Sequence, residues 1–316
     1  MGVKLRQKII ITDWTDENTE KFQAETFRIK HDLISTGLFS DEALSVLLDK
    51  HPKDQLDVCT LSDHTIYQYK FRTGDVRDVD GKTLIEAVKA GEIWMNLRKA
   101  MNIHPEYKAV LDNMYGEIAD LTGKKSFNAR GGILISSPAA QVPLHFDATE
   151  TILWHIRGQK RMYLYPQTED YLPDEDYEML MFKINEDYLP YNPAMEAAAE
   201  IYDLEEGEML TWPLNRPHRV ENKSYCVSVT TEYSTHESSL KNAAMYTNAV
   251  LRRKLGRNPN WNSASMPEKY IKASIGKVLR KIGVLDTLHE DDMVSFRIDK
   301  TLPGYIKDVE PYARVF

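Results

Sequence analysis

Short apolar segments separated by turn residues occupy the middle of the chain, from about residue 127 to residue 233. Several of them alternate apolar and polar positions, as strands do when only one face is buried. Many short strands with Pro and Gly between them are typical of a β-sandwich or barrel. The pattern therefore predicts a mainly β fold with flanking helices. The predicted strands are GGILISS, VPLHFDAT, TILWHIRG, QKRMYLYP, EMLTWP, HRVEN and YCVSVTTEY.

On both sides of this region, apolar residues recur at helical spacing. Ser40 is well suited to cap the start of one helix, and Gly91 to end another. The predicted helices are 14–36, 40–51, 81–91 and 104–121 before the β region, and 237–256 and 266–283 after it. Two more strands are predicted at 66–72 and 92–97.

These changes of pattern divide the chain into three segments. Residues 1–91 form a helical and mixed region that we expect to pack on the barrel, 92–235 form the β domain, and 236–316 form a C-terminal helical region. The stretch 167–207 interrupts the β domain with five tyrosines, three prolines and an acidic run. Loops of this length are usually functional or mobile.

Charge is unevenly distributed along the chain, whose net charge is −8. The insertion 167–207 holds thirteen Asp or Glu against one Lys, whereas 237–281 hold ten Lys or Arg against two Glu. The two blocks must therefore face different neighbours or each other. The negative total disfavours a nucleic-acid partner, because phosphate binding needs concentrated positive charge.

The cysteines and the hydropathy pattern argue against disulfide-stabilised, zinc-thiolate and membrane proteins. Cys59 and Cys226 lie far apart and in no CxxC pair, which supports neither a disulfide framework nor a thiolate zinc site. Any metal would then be held by His and carboxylate. The chain has no 18-residue apolar run and starts without a signal-peptide pattern. We therefore expect a cytoplasmic protein with no membrane partner.

A His-Phe-Asp triplet and a later histidine form a candidate metal site. His145 and Asp147 fall on a predicted strand, where residues two apart point to the same face. His218 follows 71 residues after Asp147, beyond the insertion. Two histidines and one carboxylate on one face of an octahedral ion leave positions open for cosubstrate and oxygen, which is diagnostic of non-haem Fe(II) oxygenases. The triplet alone is weak evidence, because a single strand histidine is more often an ordinary core or surface residue.

The residues around the triplet resemble the iron-binding segment of the JmjC and cupin-like oxygenases, which depend on Fe(II) and 2-oxoglutarate. The triplet is followed by a strand, a glycine turn, a lysine and a hydrophobic stretch that ends in proline. A Gly-acidic pair, an apolar strand and a proline likewise precede the second histidine. The order is especially similar to the branch that contains the asparaginyl hydroxylase of hypoxia-inducible factor. The matching residues are His145, Asp147, Gly158, Lys160, Pro166, Gly207, Glu208, Met209, Leu210, Thr211, Trp212, Pro213 and His218.

The resemblance covers roughly 92–233 and implies a double-stranded β-helix, which is a jelly-roll barrel. It assigns Fe(II) to His145, Asp147 and His218. It also assigns the distal carboxylate of 2-oxoglutarate to Lys160, because burying that charge unpaired would cost several kcal/mol. The alternative is that Lys160 is an ordinary solvated lysine.

Four further positions bear on how the cosubstrate is held. Thr151 and Thr230 fall near polar positions of the family, although β-propensity explains a threonine equally well. Trp94 stands where the family offers a tyrosine hydroxyl, and Val142 where a threonine precedes the first histidine. An indole N–H can donate a hydrogen bond and a valine side chain cannot, so these two positions depart from the family pattern.

The resemblance implies a dioxygenase that hydroxylates a C–H bond while 2-oxoglutarate is decarboxylated to succinate. Demethylation and desaturation stay open, and so does the substrate: a protein side chain, a peptide, a free amino acid or a lipid precursor. The acidic insertion is either a lid that favours a cationic substrate or a solvated loop. The basic C-terminal helices either bind an anionic partner or dock on the acidic loop of a second subunit. A homodimer is expected, because related hydroxylases dimerise through C-terminal helices.

Two other interpretations of the same residues stay open. One is a cupin enzyme that uses the metal without 2-oxoglutarate. The other is a non-catalytic regulatory protein with a vestigial barrel. The complete set of ligands disfavours the second, because a decayed site should have lost at least one of them.

Overall fold

The computed structural model describes residues 9–61, 71–91, 93–138, 140–182, 189–285 and 293–314. Eight antiparallel strands are shared between two sheets and form a jelly roll, as the sequence predicts. The larger sheet contributes β5 (Phe127–Ser136), β7 (Glu150–Arg157), β10 (Glu208–Thr211) and β12 (Cys226–Ser234). The smaller sheet consists of β6 (Gln141–His145), β8 (Lys160–Leu164), β9 (Glu200–Leu204) and β11 (His218–Asn222).

Six more strands from both ends of the chain extend the larger sheet to ten. At one edge, β1 (Phe27–Lys30) pairs with β10. Beyond β5 the order is β4 (Ile93–Leu97), β2 (Leu56–Leu61), β3 (Phe71–Asp75), β13 (Met293–Ile298) and β14 (Ile306–Ala313). All three segments inferred from the sequence therefore share one sheet.

Two of the sequence predictions about these flanks are wrong. The predicted helix 14–36 contains only α1 (Asp16–Lys21), followed by β1 and a short 3-10 turn. Phe27 and Ile29 are buried while their neighbours are exposed, so pairing with β10 imposes a strand there. The region 236–316 is not helical throughout, because β13 and β14 join the sheet. Residues 66–70 of the predicted strand 66–72 lie outside the described residues.

The other predicted helices are confirmed. α2 (Asp41–Lys50) starts at the Ser40 cap, and α3 (Gly81–Ala90) and α5 (Pro105–Thr122) follow, with the short α4 (Ala100–Ile103) between them. Apolar residues of α2, α3 and α5 pack with those of the larger sheet in one buried cluster. α6 (Asp174–Phe182) lies in the insertion, and α7 (His236–Leu255) and α8 (Met266–Lys281) follow the barrel. No helix in the described ranges is long and apolar enough to cross a membrane.

The face of the larger sheet that looks away from the helices is the inner wall of the barrel. Adjacent glycines of β5 mark the change of face: a Cβ at Gly131 would lie 2.7 Å from Leu111 of α5, whereas one at Gly132 would lie 3.2 Å from the Thr230 hydroxyl. An apolar cluster fills the middle of the barrel, with Val142 packed against it. Its buried members are Leu153, Met162, Leu164, Leu204, Leu210, Trp212 and Val220.

The acidic insertion and the basic helices face each other within one chain. The Arg252 Nε of α7 donates to the Glu178 carboxylate of α6 at 2.8 Å, and Glu178 is fully buried. The Trp261 backbone N–H donates to Asp174 at 2.6 Å. Of the two arrangements left open by the charge pattern, the structure therefore adopts mutual docking.

We predict that Gly276→Ala destabilises the protein by about 1–3 kcal/mol, the usual cost of overpacking. A Cβ at this position of α8 would lie 1.8 Å from the Ala243 carbonyl oxygen of α7. Gly116→Ala is the matched control, because it adds a methyl group to an exposed helical glycine with nothing within 4 Å. It should stabilise slightly. Denaturant unfolding followed by circular dichroism measures both, and equal midpoints would contradict the close approach of the helices.

Candidate metal centre

Strand pairing brings the two histidines of the candidate site together. In the pairing of β6 with β11, His145 lies opposite His218, and their ring centroids are 4.1 Å apart. Asp147 was expected on the same strand as His145, but β6 ends at His145 and Asp147 lies in the following loop. Its Oδ2 is nevertheless 3.7 Å from His218 Nε2. One ion with bonds of about 2.0–2.2 Å spans such a separation.

Hydrogen bonds to the backbone fix which nitrogen of each imidazole faces the site. His145 Nδ1 bonds the Pro143 carbonyl at 2.8 Å, and His218 Nδ1 bonds the Arg216 carbonyl at 2.9 Å. A carbonyl only accepts, so Nδ1 of each ring carries a proton and Nε2 is the nitrogen left to face the site. Metal-binding histidines commonly have this arrangement.

The electrostatics of the site suit a cation. Burial, followed by the neighbouring His145, lowers the pKa of His218 well below its usual value, so its ring is neutral. Burial raises the pKa of Asp147, and its Oδ2 is buried with no hydrogen-bond partner among the described residues. A divalent ion would take the neutral nitrogens as ligands and stabilise the charged carboxylate. Within the described ranges, this is the one group of three such side chains close enough to hold a metal.

A hydrogen-bond network holds the loop that carries Asp147. Asn215 Nδ2 donates to the Asp147 carbonyl at 2.6 Å, and Asn242 Nδ2 of α7 donates to the Ala148 carbonyl at 2.8 Å. The Tyr177 hydroxyl of α6 donates to Asn242 Oδ1 at 2.6 Å. The sequence analysis missed these residues, because only Asn215 is close in sequence to a ligand. The insertion and the C-terminal helix thus both support the metal loop.

Lys160 points into the barrel from the other end of the smaller sheet. It is 3% exposed, and no acidic side chain of the described residues forms an ion pair with it. Burial accordingly lowers its pKa. Its strand partner is Asn222, four residues beyond His218 on β11, which is about 13 Å at 3.3 Å per residue. A buried lysine without an anion is costly, so this position is a candidate site for an anionic ligand.

The remaining predicted residues lie on the same inner wall. Thr151 of β7 is buried, and its hydroxyl favours the ionised form of Asp147. Thr230 of β12 is half-buried beside Gly132. Trp94 of β4 is half-buried and lies opposite Ser136 in the strand register. The structure thus places these residues on the inner wall, and their roles toward a cosubstrate remain predictions.

An ion pair that the sequence analysis missed lies on the inner wall next to the metal site. Arg130 of β5 and Glu232 of β12 are strand partners, and Arg130 Nε lies 2.7 Å from Glu232 Oε2. Burial raises the pKa of Glu232, and the Asp147 carboxylate raises it further. The strand register also places Glu232 opposite Thr151. Residues two apart on a strand share a face. The sequence prediction that Thr230 lines the site therefore also implied that Glu232 faces the same way.

Solved structures of one bacterial protein are similar to this chain. An X-ray structure of YcfD from E. coli matches with a TM-score of 0.50 at 16% identity, over 85% of this chain and 67% of that chain. YcfD, a ribosomal oxygenase from Escherichia coli, in complex with cobalt and 2-oxoglutarate matches with a TM-score of 0.48 at 13% identity, over 91% and 75%. The first similarity shows a shared fold. No curated protein matches the sequence significantly.

The family comparison is more direct. The model of the Cupin-like domain family matches residues 74–239, which is more than half of the chain and includes all three candidate ligands. The chain therefore belongs to the Cupin-like domain family.

Proposed function

We propose that this protein is an Fe(II)- and 2-oxoglutarate-dependent oxygenase that hydroxylates an amino-acid, peptide or protein side chain. One observation carries the proposal: the side chains of His145, His218 and Asp147 converge closely enough to hold one metal ion. Three protein ligands on one side of an ion leave positions open for cosubstrate and dioxygen. The closer relation to the asparaginyl hydroxylase of hypoxia-inducible factor, and a cytoplasmic location, are part of this proposal.

Lys160 supports 2-oxoglutarate as the cosubstrate. A dicarboxylate bound to the metal by its 2-oxo acid end would direct its second carboxylate along the barrel, where Lys160 is buried without an anion. This observation favours the proposal over a cupin enzyme that does not use 2-oxoglutarate. We assign further cosubstrate contacts to Thr151, Thr230 and Trp94 as proposals.

In this function the protein would position the metal ligands, keep water away from the reaction and place the charge of Lys160 near the cosubstrate. His145 and His218 would hold Fe(II) through Nε2, and Asp147 through its carboxylate. When bound, iron and 2-oxoglutarate supply the oxygen chemistry, with release of succinate. The apolar cluster in the middle of the barrel would exclude water and so strengthen the ion pair between Lys160 and the bound cosubstrate. The hydrogen bonds from Asn215 and Asn242 keep the Asp147 loop in place.

The acidic insertion contributes less to substrate charge than the sequence suggests. Asp174 and Glu178 bind Trp261 and Arg252 of the same chain, so these two carboxylates are unavailable to a ligand. We retain a cationic substrate as a proposal that rests on the other acidic residues of the insertion.

We also propose that the protein forms a homodimer through α8. Three large apolar residues of this helix and its C-cap residue are solvent-exposed and follow the spacing of a helix-pairing stripe. Such a continuous apolar stripe is unusual on a monomer surface. Its members are Ile271 (61% exposed), Ile275 (44%), Val278 (60%) and Ile282 (66%).

The proposed metal site predicts one tight Mn(II) site per chain under anaerobic conditions, with Mn(II) in place of Fe(II). His218→Ala should abolish binding, because it removes a ligand. Asn215→Ala should weaken binding by about 10–100-fold, the usual effect of losing a group that orients a ligand. The controls His236→Ala and Asn260→Ala alter exposed residues remote from the triad and should bind as the wild type does. Titration calorimetry measures all five proteins, and a wild type that binds no Mn(II) would refute the oxygenase proposal.

The cosubstrate role of Lys160 predicts opposite effects of Lys160→Met on binding and stability. The affinity of the Mn(II)-loaded protein for 2-oxoglutarate should fall about 30-fold or more, because one partner of a buried charge pair is lost. The metal-free protein should be at least as stable as wild type, because a buried unpaired charge is removed.

Lys223→Met, at a partly exposed lysine of the same barrel, is the control and should leave 2-oxoglutarate affinity unchanged. Calorimetry and denaturant unfolding give the two quantities. Unchanged affinity in Lys160→Met would favour a cupin enzyme that does not use 2-oxoglutarate.

The proposed dimer predicts a mass of two chains in light scattering after gel filtration. The double variant Ile271→Glu/Val278→Glu should run at half that mass, because it places charges in the apolar stripe. Lys277→Glu changes an exposed residue of the same helix outside the stripe and should remain dimeric. A wild type that is monomeric at low and high salt would rule out the dimer.

A further inference from the structure

We propose that Arg130 and Glu232 form the substrate subsite, binding the carboxylate and ammonium groups of a free α-amino acid beside the metal. This inference rests on the proposed oxygenase function and specifies its substrate class. The two side chains are neighbours on β5 and β12, and both face the inside of the barrel. Their chemistry, position and unused hydrogen-bonding atoms support the assignment.

The pair lies where a substrate would have to bind. His145 and His218 come from the smaller sheet, so the side of the metal site opposite them is the wall formed by β12 and β5. Glu232 lies on that wall opposite Thr151, which follows the candidate metal ligand Asp147 by four residues. Lys160 is at the other end of the cavity. The cosubstrate would therefore extend away from the pair, leaving this end to the substrate.

Each partner retains atoms that can bind a ligand. Arg130 Nε and Nη2 both contact the same carboxylate oxygen, Oε2, at 2.7 and 2.5 Å. Glu232 Oε1 and Arg130 Nη1 have no hydrogen-bond partner among the described residues. The Glu232 side chain is 32% exposed and that of Arg130 is 47% exposed, so both are accessible to a ligand. The site thus offers an anionic acceptor next to a cationic donor.

This juxtaposition is complementary to an α-amino acid, whose ammonium and carboxylate groups are attached to one carbon. The ammonium group would donate to Glu232 Oε1, and the carboxylate would accept from Arg130 Nη1. The next inward-facing residue of β5 after Arg130 is Gly132. Because it has no side chain, it leaves space for a ligand beside the pair. Neither blocked peptide termini nor a simple amine offers both charges.

A sheet-stabilising role alone would not require this location. Partly exposed ion pairs contribute little to stability. Arg161 and Asp203 form a comparable pair of strand partners between β8 and β9, with Nε to Oδ1 at 2.6 Å. Arg161 and Lys160 are adjacent on β8 and therefore point to opposite faces, which puts Arg161 outside the barrel. The two pairs are matched in chemistry and differ in access to the metal.

The test measures binding of the twenty proteinogenic amino acids to the anaerobic protein loaded with Mn(II) and 2-oxoglutarate. We expect at least one to bind, and to stimulate succinate release when Fe(II) and air replace Mn(II). Its α-amide and its N-acetyl derivative should each bind about tenfold or more weakly, because each lacks one charged contact. A protein that binds Mn(II) and 2-oxoglutarate but no amino acid would overturn this inference and leave the oxygenase proposal standing. Loss of Mn(II) or 2-oxoglutarate binding itself would instead refute that proposal.

Variants then assign the two contacts. Glu232→Gln should lower the affinity for the amino acid about tenfold and change the affinity for its N-acetyl derivative little, because that derivative lacks the ammonium group. Arg130→Gln should likewise lower the affinity for the amino acid and change that for its α-amide little, because the α-amide lacks the carboxylate. Arg161→Gln should bind as wild type does. All variants should still bind Mn(II) and 2-oxoglutarate, which shows an intact barrel. Wild-type amino-acid binding by both pair variants, or preferential binding of peptides blocked at both ends, would contradict the assignment.

Discussion

The antiparallel pairing of β6 with β11 is the interaction on which the metal site depends. It joins His145 and His218 across 73 residues and places their rings next to each other, with centroids 4.1 Å apart. Each ring bonds the carbonyl two residues earlier on its own chain segment, so the same backbone that forms the strand also orients the ligand. Any shift of register between the strands would separate the imidazoles, because a slip of one residue reverses the face of each side chain.

The carboxylate ligand depends on a different part of the molecule. Asp147 lies beyond the end of its strand, and the hydrogen bonds to its loop come from Asn215 and from Asn242 of α7. Tyr177 connects α6 to the same network, while Glu178 fixes α6 on α7 through Arg252. The helix of the insertion is therefore part of the support of the metal site. An ordered helix with two buried links to α7 is poorly suited to act as a freely moving lid.

Charged side chains lie at the two ends of the barrel interior, with apolar side chains between them. Lys160 lies at one end, and Asp147, Glu232 and Arg130 lie at the other. The apolar cluster between them provides a low-dielectric environment in which charged contacts are strong and unpaired charges are costly. A dicarboxylate between the metal and Lys160 would pair with the lysine, and a zwitterion at the opposite end would bind both partners of the Arg130–Glu232 pair. The cosubstrate and substrate proposals thus follow from one electrostatic pattern.

The sequence by itself determined the elements whose signal is local. Period-two segments between Gly and Pro predicted the barrel strands, and helical spacing with the Ser40 cap predicted α2. The resemblance of the segments around His145, Asp147, Lys160 and His218 to a known family suggested the candidate ligands. These features can be predicted because backbone preferences and short motifs depend on neighbouring residues.

Only the tertiary structure decided what depends on distant partners. Residues 27–30 form a strand because β10 offers an edge, against the helical pattern around them. Asn242 and Tyr177 support the Asp147 loop through contacts 94 and 65 residues apart in sequence, which no local pattern specifies. Arg130 and Glu232 became a candidate subsite only when the sheet register placed them side by side on the wall opposite the metal ligands. Local sequence determines which element forms, whereas the chemistry of a site requires burial and proximity that the whole fold creates.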